Sequence, residues 1–261
     1  MPALNVLLAG SVESPALELL FKSKYLNKLY TNFELPNIPD IRFNTFKELA
    51  KKCKALKIDL VLVDDEKFIL QGIADVLRAN FVNCFAINSF WTQLVLSNDF
   101  AHKMCEKYGI ETPEIFKYPQ EYPLIVRADG VREEANSLQD IININKKIVN
   151  CSQEIANTIF LERFIDGEKA TLTSIFDGKH LITFSDKEIA EDLIKEYNSK
   201  LQNMFLAENS NFIGYINSEV ILKEQALFNI GFNLNFPVIK EDLLYLLISV
   251  IYQKLTEITL R

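Results

Sequence analysis

The residues of this chain that could do chemistry by type alone are few: four cysteines, two histidines and a run of lysines. Cysteine supplies a thiolate nucleophile or a soft metal ligand. Cys53, Cys84, Cys105 and Cys151 are widely scattered, however, and share none of the paired spacings of a metal site, so they read as structural thiols. His102 and His180 are too few for a histidine-rich zinc centre. Lys51, Lys52, Lys54 and Lys57 fall on an expected helix and read as its solvated face. With 28 Lys and Arg against 35 Asp and Glu, the net charge is -7, which repels nucleic acid and argues against a nucleic-acid partner.

These residues need a frame, and 49% hydrophobic composition is enough to bury a core. Val6–Ala9 is an apolar strand ending at Gly10-Ser11, and Ser14 then caps a helix with Pro15 in its first turn. Thr45 and Glu48 have capping-box spacing for a helix to about Leu56. Asp59–Val63 reads as a strand buried on both sides, followed by a helix over Gly72–Ala79 and a short strand at Asn83–Ile87. Such alternation predicts a mainly parallel sheet with helices on its faces. A helix over Thr92–Tyr108 stops at Gly109.

Beyond residue 110 the strands come closer together. Leu124–Ala128, Thr158–Phe164, Thr171–Phe176 and His180–Thr183 are strands, with turns at Asp129-Gly130, Asp166-Gly167 and Asp177-Gly178. Lys187–Phe205 is a helix whose stripe is Ile189, Leu193, Tyr197, Leu201 and Met204. Phe212–Tyr215, Val220–Leu222 and Ala226–Ile230 are further short strands, and Glu241–Leu255 is a closing helix. The expectation is an α/β fold, with a parallel-sheet domain over 1–110 and a smaller α+β domain over 111–261. Met1–Gly10 reads as a first strand rather than a signal peptide, and no apolar stretch is long enough to span a bilayer. A cytoplasmic protein without membrane insertion is expected.

Strings along the chain, in order, resemble those of glycinamide ribonucleotide synthetase (phosphoribosylamine–glycine ligase), an ATP-grasp family. Val6-Leu-Leu-Ala-Gly-Ser11 is similar to its first strand and turn, and Asp59-Leu-Val-Leu-Val-Asp-Asp-Glu66 with Gly72-Ile-Ala-Asp-Val-Leu77 to the strand and loop that begin its sugar-phosphate site. Ser97-Asn-Asp-Phe-Ala101 and Tyr122-Pro-Leu-Ile-Val-Arg-Ala-Asp-Gly130 resemble its lid. The fullest match is Leu161-Glu-Arg-Phe-Ile-Asp-Gly-Glu-Lys-Ala170, and Leu227-Phe-Asn-Ile-Gly-Phe232 resembles its metal-binding strand. The family joins glycine to phosphoribosylamine with ATP and magnesium in purine synthesis. The resemblance therefore implies a preATP-grasp parallel-sheet domain followed by a reduced ATP-grasp-like domain. It finds no counterpart of the family's carboxy-terminal domain, nor of a long substrate loop between Ser185 and Phe212.

Several implied site positions depart from the family. Val12 and Glu13 replace glycines in the first turn, and Asp64-Asp65 replace Gly-Pro before Glu66. Glu66 is the implied ribose contact or, on its residues alone, a solvated loop carboxylate. Asn98 stands for a nucleotide-supporting lysine, while Arg127 replaces a second lysine and can still pair with phosphate. Val131–Ala135 replaces a glycine-rich segment and reads as a short capped helix or surface turn. Glu162 matches an acidic position beside the adenine linker; Glu168 is the implied contact to a ribose hydroxyl, beside Lys169 where a carboxylate is expected, or its loop at Asp166-Gly167 simply reverses the chain. Asn229 survives as a magnesium ligand or makes a local backbone hydrogen bond, and Leu227 offers no oxygen.

The expected function is a non-catalytic member of this plan, an assembly or regulatory component with a protein partner or self-association. No catalytic residue is assigned, and ATP and magnesium remain only as residual ligands. The alternatives are a divergent ATP-dependent ligase and a nucleotide-binding module.

Overall fold

The computed structural model describes residues 3–152, 155, 158–208 and 210–236. The expected closing helix over Glu241–Leu255 lies outside them. Strand β1 (Leu4–Ala9), helix α1 (Pro15–Lys22), α2 (Phe46–Ala55) and β3 (Leu60–Val63) form where the sequence implies, and β2 (Leu26–Thr31), for which the sequence offered no expectation, lies between α1 and α2. The short α3 (Glu66–Leu70), α4 (Ile73–Ala79) and β4 (Cys84–Phe85) follow. The four strands form a parallel sheet in the order β2-β1-β3-β4. All of β3 is buried, which explains its unbroken apolar run. The Ser14 hydroxyl accepts from Ala16 N at 3.0 Å, and the Thr45 hydroxyl accepts from Glu48 N at 3.2 Å, so both caps form.

The expected Thr92–Tyr108 helix is two, α5 (Gln93–Leu96) and α6 (Asn98–Tyr108), because Ser97 adopts extended backbone and caps α6. Gly109, at φ 66, closes α6. Strand β5 (Ile115–Phe116) leads to β6 (Leu124–Ala128), β7 (Val131–Ala135), α7 (Leu138–Cys151) and β8 (Phe160–Arg163). These strands make a small antiparallel sheet in the order β5-β8-β6-β7. Val131–Ala135 is thus a strand rather than a helix or surface turn. Ala128 pairs with Val131 across Asp129 and Gly130, and Gly130 takes φ 73, so the turn returns the chain directly as a hairpin. Helix α7 has no counterpart in the sequence reading. Its Ile141, Ile144 and Ile148 nonetheless pack at helical spacing on Leu124, Val126 and Leu161.

A large antiparallel sheet, β10-β9-β11-β12, follows: β9 (Glu168–Phe176), β10 (Leu181–Ser185), β11 (Gly214–Lys223) and β12 (Ala226–Asn233), with helix α8 (Glu191–Ala207) between β10 and β11. The two short strands expected at 212–215 and 220–222 are one strand, β11. Its central Asn217, Ser218 and Glu219 hide its continuity in the sequence.

One apolar core joins the parallel sheet to the large antiparallel sheet, and Trp91, Phe176, Phe205 and Phe212 lie within it. Phe205 stacks on Phe212 with ring centres 3.9 Å apart, and Trp91 meets Phe205 edge-on at 5.1 Å. Cys53, Cys84 and Cys105 are buried, and burial raises their thiols to about 11, 12 and 12, so they stay protonated at neutral pH. Among the described residues, no helix is long and apolar enough to cross a membrane.

Candidate functional site

The small sheet presents one face to α6 and the large sheet, and strand register decides which side chains share that face. Arg127 on β6 lies opposite Arg132 on β7 and Phe160 on β8, while Ile125 lies opposite Glu134 and Glu162. Alternation by two therefore gathers Arg127, Arg132, Glu134 and Glu162 on one side. Glu133 falls on the other side and meets Lys147 of α7 at 3.2 Å.

Arg127 is held from several directions. Its Nε and Nη2 donate to Asn98 Oδ1 at 3.2 and 2.9 Å, and its Nε lies 3.8 Å from Glu162 Oε1. The Asn98 backbone N–H donates to Asp129 Oδ1 at 2.9 Å, which ties the start of α6 to the β6–β7 turn. Glu162 is only 1% exposed, and its Oε1 sits 3.0 Å from His102 Nε2. Three polar atoms around this group are buried without a partner: Asn98 Nδ2, Arg132 Nε and Glu162 Oε2. Burial lowers the affinity of the Arg132 guanidinium for its proton, and Glu162 acts in the opposite direction.

The large sheet supplies the facing surface. Thr173 Oγ1 donates to Asn217 Oδ1 at 2.8 Å, Asn217 Nδ2 donates to Asn233 Oδ1 at 2.8 Å, and Asn233 Nδ2 donates to Glu219 Oε1 at 2.9 Å. Gly231 lies opposite Glu219, and a Cβ there would stand 3.1 Å from Arg127 Nη2. The missing side chain is what admits the guanidinium to the sheet. Gly231→Ala, at φ 156, should therefore cost about 1–3 kcal/mol by strain and by displacing Arg127. Thermal unfolding checks this, and a loss below about 0.5 kcal/mol would mean that the guanidinium moves aside freely.

The sequence places Asn229 and Gly231 two residues apart, which predicts a shared face. Between Glu219 and Val220 the pairing slips: Glu219 lies opposite Gly231, but Val220 lies opposite Asn229. Ile230 is the extra residue of this bulge, and it turns Leu227 and Asn229 to the opposite face. There the Asn229 amide is buried, donating to Tyr197 Oη at 2.8 Å and accepting from Gly231 N at 3.1 Å. Its oxygen accepts this local backbone bond on the face away from Arg127 and Glu219.

Two other expected contacts also lie apart. Glu168 is on the face opposite Glu219, exposed, with its carboxylate 3.9 Å from Lys187 Nζ. Glu66 is exposed in the first turn of α3, beyond the carboxyl end of β3. Arg127 and Glu162 are brought together. His102, Arg132, Glu219 and Asn233 join them without having been singled out as site residues by sequence reasoning. The available signal was the polar alternation Asn217, Glu219 within an apolar strand. Among the described residues, no group of three or more His, Cys, Asp or Glu is placed to hold a metal ion.

No protein-family model matches the chain. Phosphoribosylamine–glycine ligase of Fusobacterium nucleatum is 22% identical, over 87% of this chain and 66% of its own length. The corresponding enzymes of Rhizobium meliloti and Brucella melitensis are matched over 45% and 43% of their lengths, so the chain spans between about two fifths and two thirds of these relatives. Among solved structures, phosphoribosylamine–glycine ligase of Thermotoga maritima superposes with a TM-score of 0.69 at 17% identity, covering 88% of this chain and 68% of that one. The ATP complex of D-alanine–D-alanine ligase from Bacillus anthracis gives 0.60 at 16% identity, covering 89% and 86%. The chain is similar in sequence to phosphoribosylamine–glycine ligases and shares the fold of the ATP-grasp ligases.

Proposed function

We propose that this protein is a non-catalytic phosphoribosylamine–glycine-ligase-like component that serves assembly or regulation. The observation carrying this reading is the state of Arg127. A guanidinium that neutralises a transferring phosphoryl group must be free to meet it. Here it is tied to Asn98, set near Glu162 and seated over Gly231. The residues also do not fit the magnesium that such ligases use. Leu227 offers no oxygen, and Asn229 is consumed by Tyr197 and Gly231. Exposed Glu134, on the same face as Arg127, adds negative charge where polyphosphate would lie.

The test supplies glycine, freshly generated phosphoribosylamine, ATP and magnesium, and measures the amide product and ADP separately. The expected result is no product above background. Product formed stoichiometrically with ADP at about 1 per second or faster would overturn the proposal.

A second reading, a module that holds a nucleotide without turning it over, is favoured by the orphaned Asn98 Nδ2, Arg132 Nε and Glu162 Oε2. Buried groups of this kind call for water or a ligand. Calorimetry with ATP, with and without magnesium, separates the two readings: saturable binding without ADP release supports the module, and no heat supports the assembly role.

A further inference from the structure

A groove of 720 Å³ opens beside the carboxyl end of β2, and it shares no residue with the Arg127 site. The carboxyl ends of parallel strands are where open α/β sheets place their ligands, and this volume lies within the range of small-molecule sites. Three aromatic rings line it. Phe43, Phe46 and Phe68 stand with centres 5.6, 5.9 and 6.1 Å apart, tilted or edge-on to one another, and each is only partly buried. Three half-covered phenyl groups in one concavity offer a planar ring the edge and face contacts it prefers.

The charged lining is Arg42 and Lys52 against Glu48 alone, a positive balance in a chain of charge -7. Lys52 is taken by Glu48 at 2.7 Å. Arg42 uses only its Nε, toward Asp40 at 2.6 Å, which leaves the two terminal nitrogens of its fork without a partner among the described residues. That fork matches a carboxylate. Asn32 also lines the groove, and its Oδ1 accepts from Gly10 N at 2.8 Å, so its amide nitrogen is left to donate. The amino-terminal end of α2 borders the same space through Thr45 and Phe46, adding the positive end of a ten-residue helix.

We propose that this groove binds a small planar aromatic acid, with its ring on the three phenylalanines and its carboxylate on the Arg42 fork. A purely apolar ligand leaves Arg42 unused, and a polyphosphate brings repeated negative charge against Glu48 and Asp40.

Calorimetry on the full chain tests this with indole-3-carboxylate, its neutral carboxamide, benzoate and cyclohexanecarboxylate as probes. Saturable one-to-one binding of indole-3-carboxylate is expected, with the carboxamide about tenfold weaker or worse. Cyclohexanecarboxylate should bind about tenfold less tightly than benzoate. Arg42→Gln, at a side chain 63% exposed and so outside the core, should remove the preference of the acid over the amide while leaving the fold intact. No saturation by ~10 mM indole-3-carboxylate would overturn the proposal, as would equal binding of acid and amide or an unaltered preference in Arg42→Gln. None of these outcomes depends on ligase activity or ATP binding.

Discussion

Replacing Arg78 by Met is expected to destabilise the protein by about 3–5 kcal/mol. Arg78, on α4, points its Nη2 at the carbonyl oxygens of Cys84, Ala86 and Ile213. The first two belong to β4 and the segment after it. The third precedes β11, more than a hundred residues later. Burial weakens this guanidinium's hold on its proton, yet the three carbonyls leave it well served. Methionine fills similar space but donates nothing, and each buried carbonyl then carries a desolvation cost of roughly 1 kcal/mol or more. Gly214 marks the same junction: a Cβ there would come within 2.7 Å of Ile87 N, so the two backbones touch. Asn88 and Trp91 add bonds to Ser210 at 2.9 and 3.0 Å. Urea unfolding should show a lower midpoint for Arg78→Met, with Arg78→Lys intermediate. A loss under about 1 kcal/mol would mean that water replaces the guanidinium and that the junction rests on apolar packing alone.

That junction also shows where sequence reading works and where it stops. Local signals mark part of the first third: β1, β3 and α4 follow from apolar runs, and Ser14 and Thr45 cap as their spacing implies, whereas β2 and α3 were not expected. These features depend on neighbours a few residues away. The contact of Arg78 with Ile213 depends on packing between distant segments, and nothing near either residue announces it. The candidate site divides in the same way. Arg127 and Glu162 meet because ordinary alternation on β6 and β8 turns both to one face. Asn229 leaves that face because one additional residue, Ile230, enters the strand, and a bulge of this kind has no fixed sequence signature. Asn98 and Gly231 are more instructive. Each looks like a simple loss when read against a ligase, whereas in the structure one accepts from Arg127 and the other makes room for it. The substitutions act as a set, which only the folded arrangement reveals.

Asp64→Asn is expected to stabilise the protein at pH 8 by on the order of 3 kcal/mol while changing little at pH 4. Asp64 directly follows β3 and lies against Gly10, where even a Cβ on Gly10 would collide with its Oδ1. That oxygen is buried and has no partner. Burial, with the neighbouring charge of Asp65, raises the carboxyl to about 7 from its ordinary 3.8. The unfolded chain therefore releases this proton near pH 4, while the folded chain keeps it until about pH 7. Across that window the unfolded state binds fewer protons, so stability from this group is complete at low pH and declines as pH rises toward 7. The full shift would amount to roughly 4 kcal/mol, and the water that still reaches part of the side chain reduces it. Asparagine keeps the shape and carries no charge at any pH. The difference between the two unfolding free energies should thus open from pH 4 to pH 7 and then level off. Parallel profiles would show that the folded carboxylate is solvated after all. The same titration bears on ligand choice, because above about pH 7 the carboxyl edge of the parallel sheet gains a second anion beside Asp65. A phosphate approaching Gly10 would meet those charges, whereas the aromatic groove, with Asn32 between it and Gly10, keeps its positive rim.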